Sequence, residues 1–278
     1  MLKLFYITNR PEIAEIADSA DVDRIFVDME YIGKEARQGG MDTVKNHHTI
    51  QDIENLKPIL RKSELLVRVN PLHDRLEDYP ETETEINQAI KAGADIIMLP
   101  MYRTIEDVER FIRAVDGKAK TMLLCETPEA ARNMAEVVKL KGINEIHIGL
   151  NDLHLALHKK FMFELLADGT VDKITDIIKA SGIPYGFGGI ARIGYGILPA
   201  EKIIAEHYRL GSSMAILSRS FCNVAKMTDL EEIRNIFNKE VHRIRKAEQS
   251  FELYSPEQFS ANHDEVKELT AQIVQSIH

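Results

Sequence analysis

The 278-residue chain reads as an α/β protein that closes into a (β/α)8 TIM barrel with a C-terminal helical extension. Three observations predict this. Short apolar runs alternate with longer amphipathic ones, and eight short runs can be counted. The Gly-rich turn of an open dinucleotide-binding sheet is missing after the first run, where Thr8-Asn9-Arg10-Pro11 stands instead. Strand-then-helix alternation implies parallel strands, and eight such units complete a barrel.

The first strand covers residues 2–8, and Pro11 opens a helix at 11–20. Strand 24–28 pairs with helix 49–61, strand 64–69 with helix 83–92, and strand 95–99 with helix 104–114. Strand 120–125 leads to helix 128–140, strand 143–148 to helix 171–180, strand 183–187 to helix 199–208, and strand 212–217 to helix 229–247. Thr104 precedes Glu106-Asp107 and Thr127 precedes Pro128-Glu129, both helix-start signals, while Gly93 and Gly182 stand where helices should stop. Two connections, 30–48 and 153–169, are too long for plain linkers. Both follow strands, which places them on the face where barrels carry their chemistry. Residues 1–247 make up the barrel domain. Residues 248–278 exceed what it needs, and 265–277 are amphipathic, suited to packing on the barrel or on a neighbouring subunit.

A net charge of −9 argues against a nucleic-acid or anionic-membrane surface, yet allows a small anionic substrate in a locally basic pocket. Two cysteines, Cys125 and Cys222, make a disulfide framework improbable and point to a reducing, cytoplasmic setting. No apolar run approaches membrane-spanning length, and the N-terminus lacks a signal-peptide pattern.

Glu126 and Asp152 each stand just past a predicted strand. Magnesium takes a few hard oxygen ligands and keeps positions for water or substrate, which two carboxylates at adjacent strand ends provide. Each acid alone reads as well as a helix N-terminal acid, Glu126 ahead of Pro128 and Asp152 as a cap for residues 153–158. Arg68 interrupts the apolar strand 64–69. A guanidinium there is costly unless paired, and its planar fork suits either a ligand carboxylate or a strand-end acid. Asp28 and Glu30 alternate to one side of the second strand and can orient Arg68, with Lys34 and Arg37 following. His47-His48, in the long second connection, is the histidine pair best placed to approach a site, whereas His147 reads as a packed histidine within its strand. The Gly-rich segment 185–196 ends the seventh strand. Its amides, with Arg192, suit an anion, though small residues there also suit close packing.

Arg68-Val-Asn70, Asp95-Ile-Ile-Met-Leu-Pro100-Met101, Glu126-Thr-Pro-Glu-Ala130 and Gly149-Leu-Asn-Asp152-Leu resemble the HpcH/HpaI aldolase and citrate lyase β-subunit family. The stretch Asp23-Arg-Ile-Phe-Val-Asp28-Met-Glu30 is similar to its citrate lyase branch, and the likeness runs to about Phe221. The resemblance implies a barrel that binds Mg²⁺ or Mn²⁺ and makes or breaks carbon–carbon bonds next to an enolate. It implies Glu126 and Asp152 as metal ligands, Arg68 as the holder of a pyruvate-like carboxylate, and the Asn151 amide as a further substrate donor. It also implies a homo-oligomer, a trimer or hexamer, with exchanged C-terminal helices. Aldolases of the HpaI type carry a histidine where this chain has Tyr31 and a glutamine where it has Leu124; His48 is the stand-in for that histidine.

The first functional reading is therefore a metal-dependent lyase acting on a 2-oxo acid or an acyl-CoA ester, with Arg68, Glu126, Asp152, Glu30 and His48 carrying the chemistry. A second is a phosphoenolpyruvate-binding barrel performing phosphoryl transfer, with the phosphate on Arg192. A third is a ligand-binding subunit without turnover.

Overall fold

A computed structural model describes residues 1–33, 48–224 and 226–277. Eight parallel strands close in sequence order: β1 (Lys3–Ile7), β2 (Arg24–Asp28), β3 (Glu64–Arg68), β4 (Ile96–Leu99), β5 (Lys120–Cys125), β6 (Glu145–Ile148), β7 (Tyr185–Ile190) and β8 (Met214–Leu217), with β8 back on β1. The predicted (β/α)8 barrel is present. Around it lie α1 (Pro11–Ser19), α2 (Ile50–Leu56), α3 (Thr82–Ala92), α4 (Ile105–Val115), α5 (Pro128–Arg132), α6 (Met134–Val137), α7 (Leu150–Ala156), α8 (Glu164–Ala167), α9 (Thr170–Ser181), α10 (Ala200–Leu210), α11 (Leu230–Phe251) and α12 (Pro256–Ser276). Among the described residues, no helix is long and apolar enough to cross a membrane.

Local chemistry explains where elements start and stop. Thr104 forms a capping box with Asp107 at the head of α4, and Gly93 and Gly182 end α3 and α9 in the left-handed conformation. Several predicted elements differ in extent, and three of them for a local reason. The helix expected at 49–61 tightens into a 3₁₀ turn at Lys57–Ile59, because Pro58 has no N–H to continue the α-helical ladder. The helix expected at 128–140 breaks at Asn133, whose side chain donates instead to the Arg103 carbonyl at 2.9 Å. The seventh strand runs on through the glycines to Ile190. An added Cβ at Gly186 would lie 2.2 Å from the Met214 carbonyl oxygen, so the glycine lets β7 lie against β8, with a register shift between Gly186 and Gly189.

Strand alternation fills the barrel interior in three layers. At the base, buried Arg24 forks onto Glu145 at 2.5 and 2.7 Å and reaches Glu64 at 3.0 Å. Lys3 and Lys120 complete this basal charge cluster at Glu145 and Glu64. Above it lies an apolar layer of Phe5, Phe26, Leu66, Ile96, Met98, Met122, Leu124 and Met214. The third layer, at the carboxyl ends of the strands, carries Asp28, Arg68 and Glu126.

The C-terminal extension is helical, and α12 packs on α10 and α8 of its own barrel. Buried Glu206 of α10 accepts from Asn262 Nδ2 at 3.0 Å and lies 2.9 Å from His263 Nδ1, which ties the two helices together. Lys160, just ahead of α8, donates from Nζ to the Ile277 carbonyl at 3.1 Å.

Candidate active site

Thr127 caps the helix after β5, its Oγ1 accepting the Ala130 N–H at 3.0 Å. That leaves Glu126 to another task. Its side chain is buried, and Oε1 accepts the Met101 N–H at 3.0 Å. Met101 holds φ 55°, a left-handed conformation that side chains seldom adopt, and this turns its amide toward Glu126. Asp152 lies in the first turn of α7, whose N-cap position is Gly149, so it does not cap residues 153–158 either.

Arg68 meets the β2 acids as the alternation pattern required. Nε and Nη2 donate to the two Asp28 oxygens at 2.8 and 2.9 Å, and Nη1 lies 3.3 Å from Glu30 Oε2. This bidentate pairing fixes the plane of the fork. Its five N–H groups exceed what these three contacts use, and Arg68 still lines the cavity described below. Burial alone would depress its pKa, but the Asp28 and Glu30 carboxylates override that and hold it well above the usual value.

Arg68, Glu126, Asn151 and Asp152 line one cavity of about 410 Å³ at the carboxyl ends of the strands. Burial pushes the Glu126 carboxyl well above the ordinary carboxylate range, and the charges of Glu30 and Asp152 add to the rise against Arg68. His147 also reaches this cavity from β6. Its Nε2 donates to the Gly188 carbonyl at 3.1 Å, and burial pushes its pKa down to about 4, so the imidazole is neutral near pH 7.

Three sequence-predicted residues stand elsewhere. His48 is buried with Nδ1 accepting the Asp28 N–H at 3.0 Å. It lines a second cavity, of about 370 Å³, beside Thr8, Arg10 and Cys222. Tyr31 donates its hydroxyl to the His48 carbonyl, and burial, with Asp28 nearby, pushes the phenol up to about 12. Arg192 does not face the 410 Å³ cavity. Its guanidinium sits 4.4 Å over the Tyr195 ring and lines a depression with Asp229 and Glu232, while the neighbouring Ala191 lines the cavity. Lys34, Arg37 and His47 lie outside the described residues.

Sequence reasoning also missed contributors. Gly149 forms a wall against Glu126: an added Cβ would lie 2.8 Å from its Cβ and 2.9 Å from Oε2. Gly149→Ala is therefore expected to push the Glu126 carboxylate off the Met101 amide, with the fold kept. A crystal structure of the variant checks this, and an unmoved Glu126 side chain would refute it. Ser218, Arg219 and Ser220, just past β8, close one edge of the cavity, and Ser218 and Arg219 are shared with the second cavity.

The family model described as HpcH/HpaI aldolase/citrate lyase matches residues 2–183, a span that holds Arg68, Glu126 and Asp152. The chain belongs to the HpcH/HpaI aldolase/citrate lyase family. That family is one of lyase-type enzymes, and solved structures agree on its fold. An HpcH/HpaI aldolase from Desulfitobacterium hafniense is 14% identical over 88% of this chain and 93% of its own, with a TM-score of 0.60. A family protein from Burkholderia cenocepacia is 14% identical over 84% and 95%, with a TM-score of 0.61. Macrophomate synthase is similar at 14% identity over 90% and 85%, with a TM-score of 0.55. No curated protein sequence matches the chain. In this HpcH/HpaI family member, the residues past 183 supply β7, β8 and the extension.

Proposed function

We propose that the protein is a divalent-metal-dependent carbon–carbon lyase acting on a pyruvate-like 2-oxo acid or an acyl-CoA ester through a stabilised enolate. The observation that carries this reading is the convergence of Glu126, Asp152 and Arg68 on one cavity.

The donor chemistry fits a divalent cation. Among the described residues, Asp28, Glu30 and Glu126 surround Arg68, with Asp152 close to Glu126, and burial first, then the charges of Glu30 and Asp152, raise the Glu126 pKa. Such a surplus of carboxylates favours a cation. No group of three or more histidine, cysteine, aspartate or glutamate side chains is arranged as a metal cage among the described residues. Magnesium and manganese suit a two-carboxylate site, since they retain waters or substrate as remaining ligands. Glu126 and Asp152 would hold the ion, which when bound polarises the keto oxygen as a Lewis acid.

The chain's own residues supply the rest. Arg68 offers its remaining N–H groups to the substrate carboxylate and to the developing enolate oxygen, and Asp28 keeps the fork in register. The Asn151 amide, next to Asp152, adds a donor at the same rim. Glu30, 3.3 Å from Arg68 Nη1, is, like His48 and Tyr31, not among the residues lining this cavity, so its part in this reading is to hold the guanidinium rather than to move a substrate proton.

In Mg²⁺ and D₂O, the protein is expected to exchange the methyl protons of pyruvate, or the α-protons of an acyl-CoA, faster than buffer does. Proton NMR reads this directly, and no exchange with either class would sink the reading. The phosphoenolpyruvate alternative has lost its anchor, since Arg192 lies away from the cavity.

A further inference from the structure

We infer that the second half of the substrate, the part beyond the 2-oxo acid, is an aliphatic or aromatic group rather than a polyhydroxylated chain. This rests on the function proposed above and goes on to name a substrate class. Pyruvate fills only a small part of a 410 Å³ cavity, a volume in the range of sites for larger ligands. The charged groups Arg68, Glu126 and Asp152 are supplied by β3 and by the residues just past β5 and β6, and Ser218, Arg219 and Ser220 add a polar edge past β8. The apolar stretch of the lining comes from the loops after β6 and β7, and consists of Phe161, Met162, Phe163, Ile197 and Leu198.

These side chains present no hydrogen-bonding group stronger than a thioether, so a polyol against them would lose water contacts without replacement. The wall is also built rather than incidental. Glu164 accepts the Lys160 and Phe161 N–H groups at 2.7 and 2.8 Å, and the Phe161 and Phe163 rings meet edge to face at 5.3 Å. Leu165 and Leu166 anchor the segment in the core. Ile197 is 77% exposed, a large apolar side chain left in water at the rim of this cavity. Covering it with an apolar substituent would be favourable.

The test is calorimetric binding of three acids to the Mg²⁺-loaded full chain: pyruvate, 2-oxo-4-phenylbutanoate and 2-oxogluconate. The phenyl compound is expected to bind at least tenfold tighter than pyruvate, and Met162→Ser and Ile197→Ser should each shrink that ratio several-fold. A phenyl compound no tighter than pyruvate, or a preference for 2-oxogluconate, overturns the inference while leaving the 2-oxo acid site standing. The same holds for a ratio untouched by both substitutions. Failure of all three acids to bind overturns the proposed 2-oxo acid site and the inference with it.

Discussion

Glu126→Gln is expected to lower turnover by about a thousandfold, equivalent to about 4 kcal/mol of lost transition-state stabilisation, and at the same time to raise the melting temperature of the metal-free protein at pH 8. The two effects have one origin. Burial, then the charges of Glu30 and Asp152, raise the Glu126 pKa in the folded protein above its ordinary value of 4.5. The folded state therefore binds this proton more tightly than the unfolded chain does. Its contribution to stability is complete below about pH 4.5 and is lost as pH rises through the folded-state value. Glutamine keeps the neutral shape at all pH values, so the penalty disappears together with the anionic ligand. Each kcal/mol recovered corresponds to about 2–4 °C in a chain of this size. Mg²⁺ competes with the same proton, so it should raise the melting temperature of the native protein more at pH 8 than at pH 5. Full activity in Glu126→Gln, or a Mg²⁺ effect indifferent to pH, would refute this account.

Arg24→Leu is expected to cost about 3–5 kcal/mol of stability, a drop of about 10 °C, without touching the catalytic face. Arg24 has no exposed surface and satisfies Glu145 with two bonds and Glu64 with one. Removing it leaves Glu145 with Lys3, 3.3 Å away, as its neighbouring cation. Most of the cost is the stranded carboxylate rather than the lost attraction, so Arg24→Leu combined with Glu145→Leu should recover a substantial part. Urea denaturation of the two variants decides it. A loss below about 1 kcal/mol for Arg24→Leu, the range of an exposed ion pair, would show that the cluster is not sealed.

The strands were legible because barrel strands are buried on both faces and so appear as unbroken apolar runs, as at Ile96–Leu99 and at residues 122–125. The carboxylates at their ends were legible for the opposite reason, since an acid just past such a run is conspicuous. Arg68 was ambiguous between a substrate clamp and an internal ion pair, and the structure shows the ion pair in place with N–H groups to spare. Other parts depend on geometry that composition does not encode. Nothing about a methionine announces the left-handed backbone at Met101, and Gly149 matters only because of where Glu126 packs. Arg192 looked like part of an anion site because it follows a glycine run. Those glycines instead continue β7, and its guanidinium ends up over Tyr195. The basal cluster escaped notice because Arg24, Glu64 and Glu145 are scattered in sequence and meet only when the barrel closes.

The packing of α12 on α8 bears on the order in which the molecule is made. A chain leaving the ribosome N-terminus first has all eight strands once Leu217 has emerged, and the barrel can then close. The segment that carries Phe161, Met162 and Phe163 gains its outer support only after α12 follows. A nascent or truncated chain ending before Pro256 thus has Glu126 and Asp152 on the closed barrel while the segment beside them still lacks the packing of α12.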